Sequence, residues 1–197
     1  MASYRRFLAR AARNPAKVGA IAPSSPYLAR DMARVVPSCG HPVVVEIGPG
    51  TGAVSAAVRE RLPDGSRHLA IEVDRGMVEQ LRKTSPWVEV IQGDAANLRD
   101  LLHDSGVESV DAVISGLPWA IFSARDQDAI LDEIGQILTP EGALTTFAYV
   151  HALGMSGARQ FRKRLGLAFD EVVTTRTVWR NLLPARTYVC RRSRSAR

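Results

Sequence analysis

The sequence predicts an α/β fold: a mainly parallel, seven-stranded sheet with helices on both faces, closed by an antiparallel C-terminal hairpin. Three observations carry that expectation. Short apolar, β-branched runs alternate with helix-period segments between residues 43 and 149, the order that a parallel sheet with crossover helices requires. The first run is followed at once by glycines at 48, 50 and 52 and then by a helix pattern, a unit that lets backbone N–H groups approach a ligand. Two β-branched runs end the chain, Glu171–Trp179 and Thr187–Arg191, and the short loop between them contains Pro184.

In chain order, residues 1–36 make an N-terminal segment of helix, loop and helix, and residues 37–197 the core domain. Ser3–Arg13 reads as an amphipathic helix, with Tyr4, Phe7, Leu8 and Ala11 on one face and Arg5, Arg6, Arg10 and Arg13 opposite. That pattern suits a helix lying in a membrane interface; the alternative is a terminal helix docked on its own domain with a solvated basic face. Asn14-Pro15 ends it. Val18 to Pro26 is a loop rich in Gly, Pro and Ser, able to close over a ligand. Ser25 caps the next helix, with Pro26 at its first position, and that helix runs to about Val36.

The core begins with strand Val43–Ile47 and a helix over Ala53–Leu62, whose Val54, Ala57 and Val58 share a face. The Asp64-Gly65 turn leads to strand His68–Val73 and helix Arg75–Lys83. Strand Val88–Gln92 is followed by Gly93-Asp94-Ala95 and a helix. Strand Val110–Ser115 precedes a long helix, Arg125–Leu138, stopped by Pro140 and Gly142. Strand Ala143–Tyr149 and a helix near Ser156–Leu165 complete the alternation before the final hairpin.

Gly48, Gly50 and Ala53 fit the dinucleotide pattern G-x-G-x-x-G/A, a weak signal alone. Glu46-x-Gly48-x-Gly50-x-Gly52 also resembles the E-x-G-x-G-x-G motif of S-adenosylmethionine (SAM) methyltransferases. Glu46 favours the second: an acid at the strand end suits a cationic aminoacyl group and repels a pyrophosphate. Two more carboxylates stand at successive strand ends. Glu72, twenty residues past Gly52, can accept both ribose hydroxyls, and Asp94 can accept the adenine amino group. Asp74 lies close to Glu72, in poorer register. After the fourth strand, Ser115-Gly116-Leu117-Pro118-Trp119 occupies the place where amino-group methyltransferases carry Asn-Pro-Pro-Tyr or Asn-Leu-Pro-Tyr. Gly116 stands where that Asn would be. Trp119 either stacks on the acceptor or is a core residue in a Pro turn.

The net charge of +6 is unevenly spread. Residues 1–34 carry seven Lys/Arg against one Asp, residues 35–149 eight against seventeen acids, and residues 150–197 eleven against two. An acidic middle between basic ends points to an anionic surface, membrane or nucleic acid. No apolar run approaches a membrane-spanning length and no signal-peptide region follows the N-terminal charges. Cys39 and Cys190 make neither a disulfide framework nor a metal-ligand spacing, which suits the cytoplasm. No motif specifies a metal or an oligomeric state.

Taken together, these blocks resemble the soluble bacterial phospholipid N-methyltransferases, Rossmann-like class I SAM-dependent enzymes that convert phosphatidylethanolamine to phosphatidylcholine. The matching stretches are Asn14–Ser25, Glu46–Gly52, Ser115–Trp119, Phe147–His151 and Val178–Ala185. Leu183, where a second proline is expected, and Arg186, where an apolar residue is usual, depart from the pattern. The resemblance implies SAM as cofactor and S-adenosylhomocysteine as product. Its contacts would come from Ser24, Ser25, Glu46, Gly48, Pro49, Gly50, Thr51, Gly52, Glu72, Val73, Gly93, Asp94, Ala95, Ser115, Gly116 and Leu117. It implies Leu117, Trp119, Tyr149 and His151 around the acceptor amine, with Tyr149 and His151 orienting it or taking its proton, or else serving as core and rim. Arg180 is a candidate for the lipid phosphate, or a surface Arg on an edge strand. The helix with Tyr4, Arg5, Arg6, Phe7, Leu8, Arg10 and Arg13 would bind anionic membrane, making the protein cytoplasmic and peripheral to the inner membrane. The alternatives are rRNA adenine N6-methylation and small-molecule methylation. Gly116 and the absence of an added helical domain before Arg197 count against nucleic acid.

Overall fold

The structure, a computed structural model, describes residues 23–195. The helix expected over Ser3–Arg13, and the loop up to Ala22, lie outside the described residues.

Seven strands form one sheet: β1 Val43–Ile47, β2 Arg67–Glu72, β3 Glu89–Gln92, β4 Val110–Ser115, β5 Leu138–Tyr149, β6 Phe169–Thr174 and β7 Ala185–Ser193. Their order across the sheet is β3-β2-β1-β4-β5-β7-β6. β1 pairs in parallel with β2 and β4, β2 with β3, and β4 with β5; β7 runs antiparallel between β5 and β6. The expected antiparallel hairpin therefore forms the sheet edge, with the last strand inserted inside it. The order reverses between β1 and β4, so the crevice at their carboxyl ends is where this topology receives a ligand.

The helices are α1 Pro26–Met32, α2 Ala53–Arg59, α3 Arg75–Thr84, α4 Leu98–His103, α5 Ala124–Ile137 and α6 Ser156–Ala168. α1 starts as its sequence requires: the Ser25 side chain accepts from the Leu28 amide, and Pro26 occupies the first turn. Leu28, Ala29, Met32 and Ala33 pack with Val44, Val54, Ala57, Val58 and Ile114 on one face of the sheet. The other face carries the larger core, where Leu98, Leu102, Ile130, Ile134, Phe161 and Leu165 from α4, α5 and α6 meet Val45, Ile47, Val113 and Leu144.

Several boundaries differ from expectation, three of them in ways that shape the acceptor end. β5 starts at Leu138, directly from α5, rather than at Ala143. Pro140 and Gly142 are absorbed by a register jump in which Val110 pairs with Leu138 but Ala112 with Ala143. α6 extends to Ala168 and β6 ends at Thr174, not Trp179. Beyond it, residues 175–184 form a loop held at its root by a Val178–Ala185 bridge.

Candidate active site

Four loops meet at the carboxyl ends of the parallel strands. Gly48 donates to the Ile71 carbonyl, Gly116 to the Ile47 carbonyl and Gly93 to the Glu72 carbonyl, at 3.0, 2.8 and 2.9 Å. Those bonds lace the ends of β1, β2, β3 and β4 into one row. Gly48, Gly50 and Gly52 all have positive φ, which L side chains rarely adopt, so the turn from β1 into α2 depends on them. Pro49 accepts from the Gly52 amide to close the turn, and Thr51 is exposed at its tip. A side chain at Gly50 would meet open space, so the backbone there is free for a ligand to approach.

Glu72 lies where β2 ends and is 9% exposed. Its Oε1 accepts the Val73 and Asp74 amides at 2.9 and 3.0 Å, and its Oε2 reaches the Gly50 amide only at 3.4 Å. Burial pushes its pKa up, partly offset by those amides. Oε2 thus keeps acceptor capacity beside the glycine turn, which suits ribose hydroxyls. Asp74 is occupied as the cap of α3, accepting from Met77. One oxygen of Asp94 accepts the Ala96 amide, beside buried Ala95, leaving the other for an exocyclic amino group. An open glycine turn flanked by two carboxylates is a donor and acceptor set that fits an adenosyl cofactor.

Glu46 departs from its expected role. It is 1% exposed, with Oε2 accepting from the Ser55 hydroxyl at 2.6 Å and lying 3.3 Å from His68 Nε2. Strand alternation is the reason: Glu46 points to the same face as Val44, under α2, not along the strand toward the ligand. It ties α2 to β1 beneath the glycine turn. Neither His68 ring nitrogen is aligned in a hydrogen bond among the described residues. His68 and Ser55 were not singled out from the sequence, because the β1–β2 pairing brings His68 to Glu46 and the packing of α2 on β1 brings Ser55.

Trp119 takes the second of its two expected places, in the core. Its ring is 2% exposed, stacked on Phe161 at 4.4 Å and tilted against Phe122. The indole N–H donates to Ser115 Oγ and Thr146 Oγ1 at 3.1 and 3.0 Å, and Gln127 donates to the Trp119 carbonyl. With its faces and its N–H engaged, Trp119 anchors the acceptor loop rather than stacking on the acceptor. Ser115, fully buried, also accepts the Leu117 amide, so its hydroxyl helps hold the loop. The Leu117 carbonyl accepts from the Trp119 amide. A Cβ on Gly116 would lie 2.5 Å from the Gly48 carbonyl oxygen, so no side chain fits where related enzymes carry Asn.

On the acceptor side, Tyr149 ends β5, half-buried, with its ring edge-on to Phe147 and stacked on exposed His151 at 5.6 Å. Burial raises the Tyr149 pKa, so it remains a phenol at neutral pH. Ser25 acts through its backbone, its amide donating to Asn181 Oδ1 at 2.8 Å; Ser24 is adjacent and half-buried. Asn181, 6% exposed, also donates to the Leu183 carbonyl. Arg180 Nη1 donates to the Tyr27 hydroxyl at 2.9 Å, and its guanidinium lies 5.1 Å from that ring centre. Asn181 lies within the Val178–Ala185 stretch singled out in the sequence, but without a role of its own there; Tyr27, two residues beyond the Asn14–Ser25 stretch, was not singled out.

Residues 44–142 match the methyltransferase-domain family. The chain belongs to that family. It is a SAM-dependent methyltransferase, and over 194 residues, 97% of either protein, it is 31% identical to an ornithine lipid N-methyltransferase of Singulisphaera acidiphila. A probable ribosomal RNA small subunit methyltransferase A of Thermococcus onnurineus is 37% identical over 86 residues, 43% of this chain and 28% of that protein. In fold, the methyltransferase superposes on human methyltransferase-like protein 13, solved with S-adenosylhomocysteine, with a TM-score of 0.63 and 18% identity over 84% of this chain and 81% of that one.

Proposed function

We propose that this methyltransferase N-methylates the primary amine of a membrane lipid headgroup, with phosphatidylethanolamine as acceptor and phosphatidylcholine as the end of the series. The observation that carries this reading is Gly116, which the Gly48 carbonyl keeps free of any side chain. An adenine amino group is conjugated with its ring, and a side-chain amide is useful for freeing its lone pair. A neutral alkyl amine has its lone pair available already, so positioning suffices. The relative from Singulisphaera, matched along its length, supports a lipid acceptor, whereas the ribosomal RNA relative is matched over 28% of its length.

Bound SAM supplies a methyl group made electrophilic by its sulfonium. The chain's residues do the rest. Glu72 and Asp94 fix the adenosyl group, and the Gly116–Trp119 loop, locked by Ser115 and Thr146, sets the wall opposite. The acceptor arrives as an ammonium and must lose a proton. In this reading His151, exposed and stacked on Tyr149, takes that proton, while the neutral Tyr149 orients the amine. The aromatic face of Tyr149 also suits a methylated ammonium. Arg180 is available for the anionic oxygens of the headgroup. No helix among the described residues is long and apolar enough to cross a membrane. In this reading the enzyme works from the cytoplasmic surface of the inner membrane, with Ser3–Arg13 as anionic-lipid anchor.

A second reading keeps the chemistry and changes the headgroup: an ornithine lipid also carries a primary amine and an anionic oxygen group. Incubation with SAM and liposomes containing both lipids, read by mass spectrometry, decides between them. Successive methyl additions on phosphatidylethanolamine are expected. Transfer to the ornithine lipid alone selects the second reading, and labelled methyl in small-subunit rRNA with none in lipid overturns both.

A further inference from the structure

Among the described residues, six large apolar side chains are exposed: Tyr27, Met155, Leu167, Val173, Trp179 and Leu182. Four of them stand at the carboxyl end of the sheet, beside the active site. Tyr27 begins α1, Met155 precedes α6 after β5, and Trp179 and Leu182 occupy the β6–β7 loop, which the parallel run of β5 and β6 places at that same end. Trp179 is 73% and Leu182 77% exposed.

This loop is braced, not frayed. Asn181, between the two exposed side chains, is buried and bonded to the Ser25 amide and the Leu183 carbonyl. Pro184 accepts from the Val150 amide, and Arg180 is held by Tyr27. The chain thus spends a buried Asn to point a Trp and a Leu outward. The charge around them is mainly basic: residues 175–187 contain Arg176, Arg180 and Arg186 and no acid, and residues 150–159 contain Arg159 and no acid, while Asp31 of α1, which accepts from Thr175 and Thr187 at the root of the loop, is largely buried and paired with Arg34. Apolar tips with an interfacial aromatic, ringed by arginines, fit an anionic bilayer better than a protein partner.

We propose that the β6–β7 loop is a membrane-insertion surface: Trp179 and Leu182 enter the interface of an anionic bilayer, and Arg180, pinned on Tyr27, remains at the level of the phosphates. The proposal deepens the lipid-acceptor reading and rests on it, because it names the surface through which the headgroup reaches Tyr149. It adds a second contact, distinct from residues 3–13, that orients the cofactor crevice toward the bilayer.

The full chain and its Trp179→Ser/Leu182→Ser form are sedimented with vesicles of phosphatidylglycerol and phosphatidylcholine in equal parts. Retention should fall roughly tenfold or more, as expected for removing two large apolar contacts, with S-adenosylhomocysteine affinity unchanged. The Trp179 emission, taken as wild type minus Trp179→Phe, should shift to the blue on vesicles. Unchanged retention in the double variant overturns the proposal. So does an emission already blue without lipid and unmoved by it, which would mean cover by the protein's own N-terminal segment. A loss of self-association in the double variant, with retention unaltered, would reassign the surface to a contact between copies. Wild-type retention that depends on Trp179 and Leu182 without any lipid methylation would remove the acceptor reading and leave the surface standing. Lipid methylation with retention indifferent to both substitutions would do the reverse.

Discussion

The carboxyl end of the sheet has two halves, built in different ways. Around β1, β2 and β3, the cofactor half uses contacts short in sequence: Glu72 with the Val73 and Asp74 amides, Asp94 with Ala96, and Glu72 with Gly50 22 residues away. The acceptor half, around β4, β5 and β7, is closed by contacts spanning the chain. Ser25 meets Asn181 across 156 residues, Tyr27 meets Arg180 across 153, and Asp31 accepts from Thr187 across 156. The first half is a local motif that any chain with this strand–loop–helix unit can carry. The second is a product of the whole fold, so its acceptor can change while the cofactor end stays as it is.

The sharpest way to break that contrast is at Trp119, where the acceptor half is anchored in the core. Trp119→Ala should destabilise the protein by about 3–5 kcal/mol, the range for emptying a large aromatic site, read as a fall in the chemical-denaturation midpoint. Trp119→Phe keeps the stack on Phe161 and removes the indole donor from Ser115 and Thr146, at about 1 kcal/mol. If Trp119→Ala left stability intact and removed only methyl transfer, the ring would be facing the acceptor after all.

The same contrast explains what could be read in advance. The strand alternation, the glycine turn, Glu72, Asp94 and the Ser25 cap are set by neighbours in sequence, and periodicity and spacing reveal them. Glu46 looked like a ligand contact because its place in the motif was visible and its direction was not. Which face it takes depends on strand phase, and what it meets depends on His68 one strand away. Trp119 was ambiguous for a related reason: Phe161 and Thr146, which cover and bind it, come from α6 and β5. The roles of Tyr27 and Asn181 have no local signal, although Asn181 lies in a stretch the sequence singles out, since each acquires its role only when α1 reaches the β6–β7 loop.

At Glu72 the two functions of a buried carboxylate oppose each other, and pH separates them. Burial raises its pKa in the folded protein above the ordinary carboxylate value. Between those two values the folded state holds a proton that the unfolded state has released. Stability of the cofactor-free protein should therefore fall as pH rises through that window, with the full penalty above it. Glu72→Gln should flatten this dependence and raise the melting temperature at neutral pH. It should also weaken S-adenosylhomocysteine binding by about 1–3 kcal/mol in calorimetry, through the loss of a charged acceptor. Wild-type affinity should weaken as pH falls through the raised Glu72 pKa, and the variant's should not. A flat wild-type profile, or equal affinity in both proteins, would remove Glu72 from the cofactor site.

The smallest effect on stability should come from Asn181, and it separates the halves most cleanly. Its carbonyl oxygen accepts the Ser25 amide and its amide donates to Leu183, both partly accessible to water. Asn181→Ala leaves those groups able to hydrate, so the cost should be about 1 kcal/mol, near the net value of an ordinary hydrogen bond. Thermal unfolding should barely register it. The local consequence is larger, because the bond to Ser25 joins the start of α1 to the loop that presents Trp179 and Leu182. Hydrogen exchange should rise at Ser25 and across residues 181–183, while the amides of Gly50 and Val73 keep their protection. Affinity for S-adenosylhomocysteine should hold, and methyl transfer to vesicle lipid should drop. Faster exchange around Gly50 and Glu72 as well would mean that the two halves are one mechanical unit, and the division drawn between them would fail.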